Sequence, residues 1–293
     1  MKRSKLVIRL AVLAVAVGLV VFALVRPAAR EPVYHGRPLR EWLVEFDHGG
    51  GTTNSAAQEA IRAMGTNCLP FLIGYLRSKD PLFNRLRVSL KARLKLSARK
   101  GGEYAVFWHR RAATACGELG QDGAPAFPAM MEAMNDQHAA SDVAAALSRM
   151  LPKSAPVLTN VLATGNIMAR STAAWGLTTA YSHPEIEEMA RTALVNALRD
   201  PAPGVRMNAA SAFMFWNKRL DLVVPELTDA LSDPDPSVRG NAATSLGNFG
   251  SAAKPAVPEL LKLLEDSNDY PRKRAMEMLQ KIDPEAAAKA AGN

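Results

Sequence analysis

Two cysteines, Cys68 and Cys116, are all that this 293-residue chain contains. Neither lies in a C-x-x-C pair or a Cys/His cluster, which excludes the usual zinc and haem-attachment spacings. Both sit in apolar helical contexts and read as buried free thiols, with pairing in an oxidising compartment as the alternative. Histidine is also scarce: His35, His48, His109, His138 and His183 are scattered, with no two at metal-ligand spacing. The chain has no H-E-x-x-H, no G-x-S-x-G and no Rossmann fingerprint. "DHGGGTTN" (47–54) lacks the G-K-[ST] that would cradle phosphate, so it is a loop and not a P-loop. In "YSHPEIEE" (181–188), His183 lies near Glu185, Glu187 and Glu188. A helix starting at Pro184 with acids in its first turn accounts for those residues better than a metal does. No catalytic set, metal site or cofactor site emerges.

Acidic residues are absent from the first 30 positions, where Lys2, Arg3, Lys5, Arg9, Arg26 and Arg30 supply six of the net +8 charges. The rest of the chain is nearly balanced, so a chain-wide nucleic-acid signature is missing. A short basic head is followed by an apolar run, Leu10–Val25, which extends to Leu6 if Arg9 reaches the headgroups with its long stem. That pattern predicts a signal anchor or transmembrane helix within residues 1–30, membrane contact through residues 6–25, and a cleaved signal peptide as the alternative. "VRPAA" puts proline where a cleavage site wants a small residue, which favours retention. The expectation is a single pass in the inner (cytoplasmic) membrane with the remainder extracytoplasmic.

Sliding the chain along itself by 33 residues brings "DPAPGVRMNAASAF" (200–213) onto "DPDPSVRGNAATSL" (233–246), and that onto "DSNDYPRKRAMEML" (266–279). Asp200, Asp233 and Asp266 superpose, as do Arg206, Arg239 and Arg272. A shift of 130 carries "RRAATACGELGQDGAPAFP" (110–128) onto "GNAATSLGNFGSAAKPAVP" (240–258). Weaker copies occur at 56–70, 142–150 and 170–180. Self-similarity at this period means a solenoid of stacked units. Each copy reads as two helices. Pro236 suits a first turn, and Asp233 or Asp235 can cap it. Val238, Ala242, Leu246 and Phe249 form an apolar stripe, and Gly250 suits a left-handed end. Leu260, Leu261, Leu263 and Leu264 are read as the buried face of the next helix. Paired alanines at 112–113, 173–174, 209–210 and 242–243 let successive helices approach closely.

These units resemble HEAT-like repeats, in particular those of phycobilisome lyases, whose second helix runs D-x-x-x-x-V-R-x-x-A. The residues that carry the likeness are Asp200, Val205, Arg206 and Ala209, then Asp233, Val238, Arg239 and Ala242. The resemblance implies an all-α solenoid of stacked helix pairs, about seven repeats over residues 54–290. It also implies that the Asp and Arg of neighbouring repeats bond to each other, and that second helices line the concave face. "YHGRPLREWL" (34–43) resembles the lead-in of anchored bacterial HEAT-repeat proteins of unassigned function. Leu39, Trp42, Leu43 and Phe46 share one helix face that can cap the open end of the first repeat, so residues 31–53 read as a capping helix and linker.

Two features stand out from this scaffold. On the second helices, one outward slot holds Thr114, Trp175, Ser211, Thr244 and Glu277, and another holds Glu118, Thr179, Phe215, Asn248 and Lys281. Trp175 and Phe215 are the apolar exceptions, so Trp175, Phe215, Thr179, Ser211 and Asn248 are the candidate partner-binding residues. The other feature is a basic insertion at about 81–105, carrying Arg85, Arg87, Lys91, Arg93, Lys95, Arg99 and Lys100. Its "RLRVSLKARLKL" fits a helix or a strand, and it is a candidate binder of anionic lipid or nucleic acid. The leading expectation is a membrane-anchored, non-enzymatic scaffold for a protein or peptide partner. An anionic-surface binder, or a lyase-type enzyme on the same repeats, are the alternatives.

Overall fold

The computed structural model describes residues 30–46, 55–78, 104–136, 139–216 and 218–291. The apolar run 6–25, the loop 47–54 and the basic residues Arg85 to Lys100 lie outside the described residues. Among the described residues no helix is long and apolar enough to cross a membrane. The longest spans 15 residues, about 22 Å against the roughly 30 Å of a bilayer core. The expected inner-membrane location is therefore corrected.

The described chain opens with a two-stranded hairpin, β1 (Val33–Tyr34) and β2 (Arg37–Pro38), in antiparallel register. His35 (φ 48°) and Gly36 (φ 77°) form its turn, the two left-handed residues that suit a tight hairpin. The all-helical expectation did not include it. Helix α1 (Leu39–Val44) buries Leu39, Trp42 and Leu43, as its spacing predicts. It packs on α2 (Ser55–Met64) and α4 (Tyr104–Glu118), closing the end of the stack.

From α2 onward, helices of two rows alternate. The even row consists of α2, α4, α6 (Ala140–Arg149), α8 (Ile167–Gly176), α10 (Pro203–Ala212), α12 (Pro236–Asn248) and α14 (Asp269–Ile282). The odd row consists of α3 (Leu69–Leu76), α5 (Phe127–Ala133), α7 (Ala155–Thr164), α9 (Glu187–Ala197), α11 (Leu220–Asp229), α13 (Val257–Leu263) and α15 (Pro284–Ala291). The chain is a helical repeat solenoid, with seven such pairs among the described residues. Consecutive even helices from α4 to α14 pack directly on one another, while contacts along the odd row are sparser. The reason is side-chain size: Ala112, Ala113, Ala173, Ala174, Ala209, Ala210, Ala242 and Ala243 are all fully buried. At Gly240 and Gly247 the approach is closer still, because an added Cβ would fall 2.2 Å from the Tyr270 ring and 2.1 Å from Met278 Sδ.

Local chemistry sets each rung. Asp235 is the cap of α12, its Oδ1 accepting from the N–H groups of Ser237 (2.8 Å) and Val238 (3.3 Å), with Pro236 in the first turn. Asp233 is thereby left for another task. Gly250 at φ 56° ends α12 and turns the chain into a 3-10 segment, and Gly120 does the same after α4. Val238, Ala242, Leu246 and Phe249 are buried, and so are Leu260 and Leu263. Leu261 is the exception to its expected burial. It turns outward because α13 shows only one face to the core. Cys68 and Cys116 are buried and free. Burial pushes the Cys68 thiol up to about 11, and burial together with the nearby Cys68 pushes Cys116 up to about 12.

Candidate interaction face and the ladder that supports it

The recurring Asp and Arg form a ladder across the rungs. Arg170 Nε and Nη2 donate to Asp200 at 2.8 and 3.0 Å. Arg206 donates to Asp233 at 2.6 and 2.8 Å, and Arg239 to Asp266 at 2.6 and 2.7 Å. Each contact is the bidentate fork that guanidinium geometry favours. The third arm of each arginine ties down its own loop: Arg206 Nη1 reaches Asp200 O at 2.9 Å, and Arg239 Nη1 reaches Asp233 O at 2.7 Å. The Arg239 fork, joined by the Asn268 N–H and the positive charges of Arg239 and Arg272, outweighs desolvation and holds the Asp266 carboxyl below the usual range. Burial alone would raise the Asp200 carboxyl. Hydrogen bonds from Arg170 and the Ala202 N–H, with the charges of Arg170 and Arg206, overcome that and lower it.

Two rungs vary the theme in ways the sequence pattern missed. His109 takes the place that Arg239 holds 130 residues later. Its Nε2 donates to Ser78 O at 2.9 Å, and its Nδ1 lies 3.4 Å from Asp136. On α6, Asp142 accepts from Arg110 Nε of the preceding rung at 2.7 Å. Arg111 is buried with its guanidinium 3.4 Å from the Phe107 ring centre. Arg110 and Arg111, which extend the basic run in sequence, are thus engaged within the repeat stack.

The even row leaves one continuous outer face, and the predicted slots lie on it. Trp175 on α8 is 50% exposed and Phe215, in the 3-10 turn after α10, is 58% exposed. Core burial of Trp175, which an irregular repeat would have produced, is ruled out. Tyr181, in the turn after α8, stacks on Phe215 with ring centres 6.0 Å apart and planes at 29°. Among the described residues no ring contact joins Trp175 to that pair, of which Tyr181 follows α8 on Trp175's own rung and Phe215 lies one rung further on. Tyr181 escaped the sequence pattern because it lies in a 3-10 turn, where helical spacing no longer applies.

Around the rings the face is polar and mostly satisfied. Thr179 shares a hydrogen bond with Ser148 at 3.2 Å. Ser211 donates to Met207 O at 2.9 Å, and Thr244 to Gly240 O at 2.8 Å. Asn248 Nδ2 donates to Met214 O at 3.1 Å, and Asn208 Nδ2 to Ser171 O at 2.8 Å. Each of these bonds fixes a side chain and leaves oxygen lone pairs facing out.

Among the described residues no three His, Cys, Asp or Glu side chains are placed to hold a metal. Among the described residues, depressions on the odd row include two of similar size. One of about 500 Å³ lies between α7 and α9, lined by Thr159, Leu162, Met189 and Thr192. The other, about 530 Å³, lies between α11 and the turn at 250–256, lined by Leu220, Val224, Thr228 and Pro255. Neither contains a predicted site residue.

Comparison with known proteins agrees with the repeat reading at the C-terminal end, where the HEAT repeats family matches residues 224–291. No curated protein matches. Among solved structures, a designed armadillo repeat protein in complex with the peptide (KR)4 is 18% identical, with 76% of this chain and 98% of that one covered at a TM-score of 0.46. A second is an engineered protein, 17% identical, with 87% of this chain and 82% of that one covered, also at 0.46. The narrower likeness to phycobilisome lyases finds no support among these comparisons.

Proposed function

We propose that this chain is a non-enzymatic interaction scaffold, holding a protein or peptide partner against the even-numbered face of its solenoid. The observation that carries the reading is the exposure of Trp175 and of the Tyr181–Phe215 stack on adjacent rungs, with Met168 exposed on the same helix as Trp175. Large rings left half in water on a rigid support are the usual anchors of a protein interface. Close packing of the even helices through alanine and glycine, with sparser contacts along the odd row, supports this face as the concave side. Concave solenoid surfaces are where such arrays present long binding sites.

The test is a capture experiment with the full chain beside Trp175→Ala/Phe215→Ala, followed by titration of the purified captured protein. Both rings are exposed, so the double variant should keep its helical circular dichroism and its melting temperature. Loss of at least about tenfold in affinity is expected when two such anchors are removed. Equal affinity of the two forms would remove this face from the function.

A further inference from the structure

Building on that reading of the even face, we infer that the bound segment is uncharged: an extended polypeptide stretch whose apolar side chains meet Trp175 and the Tyr181–Phe215 stack. The inference comes from the charges. Across α8, α10, α12 and the turns after them (167–182, 203–216, 236–250), the only charged side chains are Arg170, Arg206 and Arg239. All three are consumed by the ladder, each forked onto an aspartate of the next rung. The charged groups at the neighbouring edge are paired among themselves: Lys218 with Glu187 at 3.8 Å, Arg219 with Asp221 at 3.4 Å, and His183 Nδ1 near Glu185 at 3.8 Å. The rungs on either side differ sharply. Glu118 and Arg62, Arg110 and Asp142 crowd one flank, and Arg274 and Glu277 the other.

The central three rungs are therefore a neutral window between charged flanks. A charged side chain buried there would lose water and gain no counter-charge, a penalty of several kcal/mol. The window thus selects against charge as well as for apolar anchors. Ser211, Thr244, Asn208 and Asn248 each spend an N–H or O–H on the protein itself and keep oxygen lone pairs that the N–H groups of a peptide backbone can meet. Three rungs at 8–10 Å spacing span about 20 Å, the length of roughly six extended residues.

The experiment is selection of a random dodecapeptide phage library on the immobilised full chain. It is run in parallel on Trp175→Ala/Phe215→Ala, at about 0.05 M and about 0.5 M sodium chloride, with a neutral glycan array beside it. The expected result is peptides enriched on the wild type only, with a core of about six residues free of Lys, Arg, Asp and Glu. Their affinity should change less than about twofold between the two salt conditions. Charged, salt-sensitive peptides that are lost on the double variant would overturn the inference and leave the face intact as the binding site. Peptides held equally by the double variant would overturn the face itself. Enrichment of no peptide, or binding of glycans in their place, would also refute an uncharged polypeptide ligand.

Discussion

Replacing Arg239 with methionine should separate rung α12 from rung α14 at a definite cost. The change removes two charge-assisted hydrogen bonds to Asp266, at 2.6 and 2.7 Å, and the Nη1 bonds to Asp233 O and Pro234 O, at 2.7 and 3.1 Å. It leaves the Asp266 carboxylate, 8% exposed, with the Asn268 N–H as a remaining donor. Orphaning a fully buried ion pair costs about 3–5 kcal/mol, and an exposed pair contributes under about 1 kcal/mol. This pair is covered but sits at the rim of the array, so the expected loss is about 2–3 kcal/mol. Urea unfolding of Arg239→Met, Asp266→Asn and the double variant gives the coupling directly, expected at about 1.5–2 kcal/mol. In a linear array the loss should be local, so amide exchange should quicken across α14 and α15 and hardly at all across α6. A coupling below about 0.5 kcal/mol would refute the ladder as the clamp between rungs.

Three further outcomes follow from the packing and the charges. Gly247→Ala inside α12 ought to stabilise a free helix by about 0.5–1 kcal/mol. Here the new methyl would meet Met278 at 2.1 Å, so a loss of about 1–3 kcal/mol is expected. Met278→Ala added to it should recover part of that loss, and thermal melts of the two variants decide. Asp200 and Asp266 titrate below their unfolded value near about 4, so their stabilisation is present above that pH and disappears as pH falls through the folded values. The melting temperature should drop on acidification, and less steeply in Asp266→Asn; equal slopes would show that the carboxylate is not responsible. Finally, with the thiols held at about 11 and about 12, neither Cys68 nor Cys116 should react with an aromatic disulfide at pH ~8 until the chain unfolds.

Most of the fold could be read from the repeats because solenoid contacts are nearest-neighbour contacts. A pattern that recurs every 33 residues recurs with its partner, and the likeness to HEAT-like repeats implied the bonds that Asp233 and Arg239 make to neighbouring rungs. Alanine pairs predicted the close packing of the even row. Legibility failed where a position departs from the period. His109 looked like one of five scattered histidines, and only the stack shows it occupying an arginine's rung against Asp136. Arg110 and Arg111 follow the basic insertion closely in sequence, yet one pairs with Asp142 and the other is covered beside Phe107.

The candidate face divides along the same line. Helical phase placed Trp175 outward, since core residues at fixed spacing leave only certain slots for solvent, whereas the 3-10 turn after α10 sets the outward direction of Phe215. Pairing of Phe215 with Tyr181 was decided by tertiary structure, because a 3-10 turn sets that ring's direction and the next rung supplies its neighbour. The sequence by itself determined the repeat, the apolar stripes and the recurrence of Asp and Arg, all of which depend on residues a fixed number of positions apart. Only the tertiary structure decided which arginines are spent, which rings stack and where a charge-free window opens, because those depend on how one rung lies against the next.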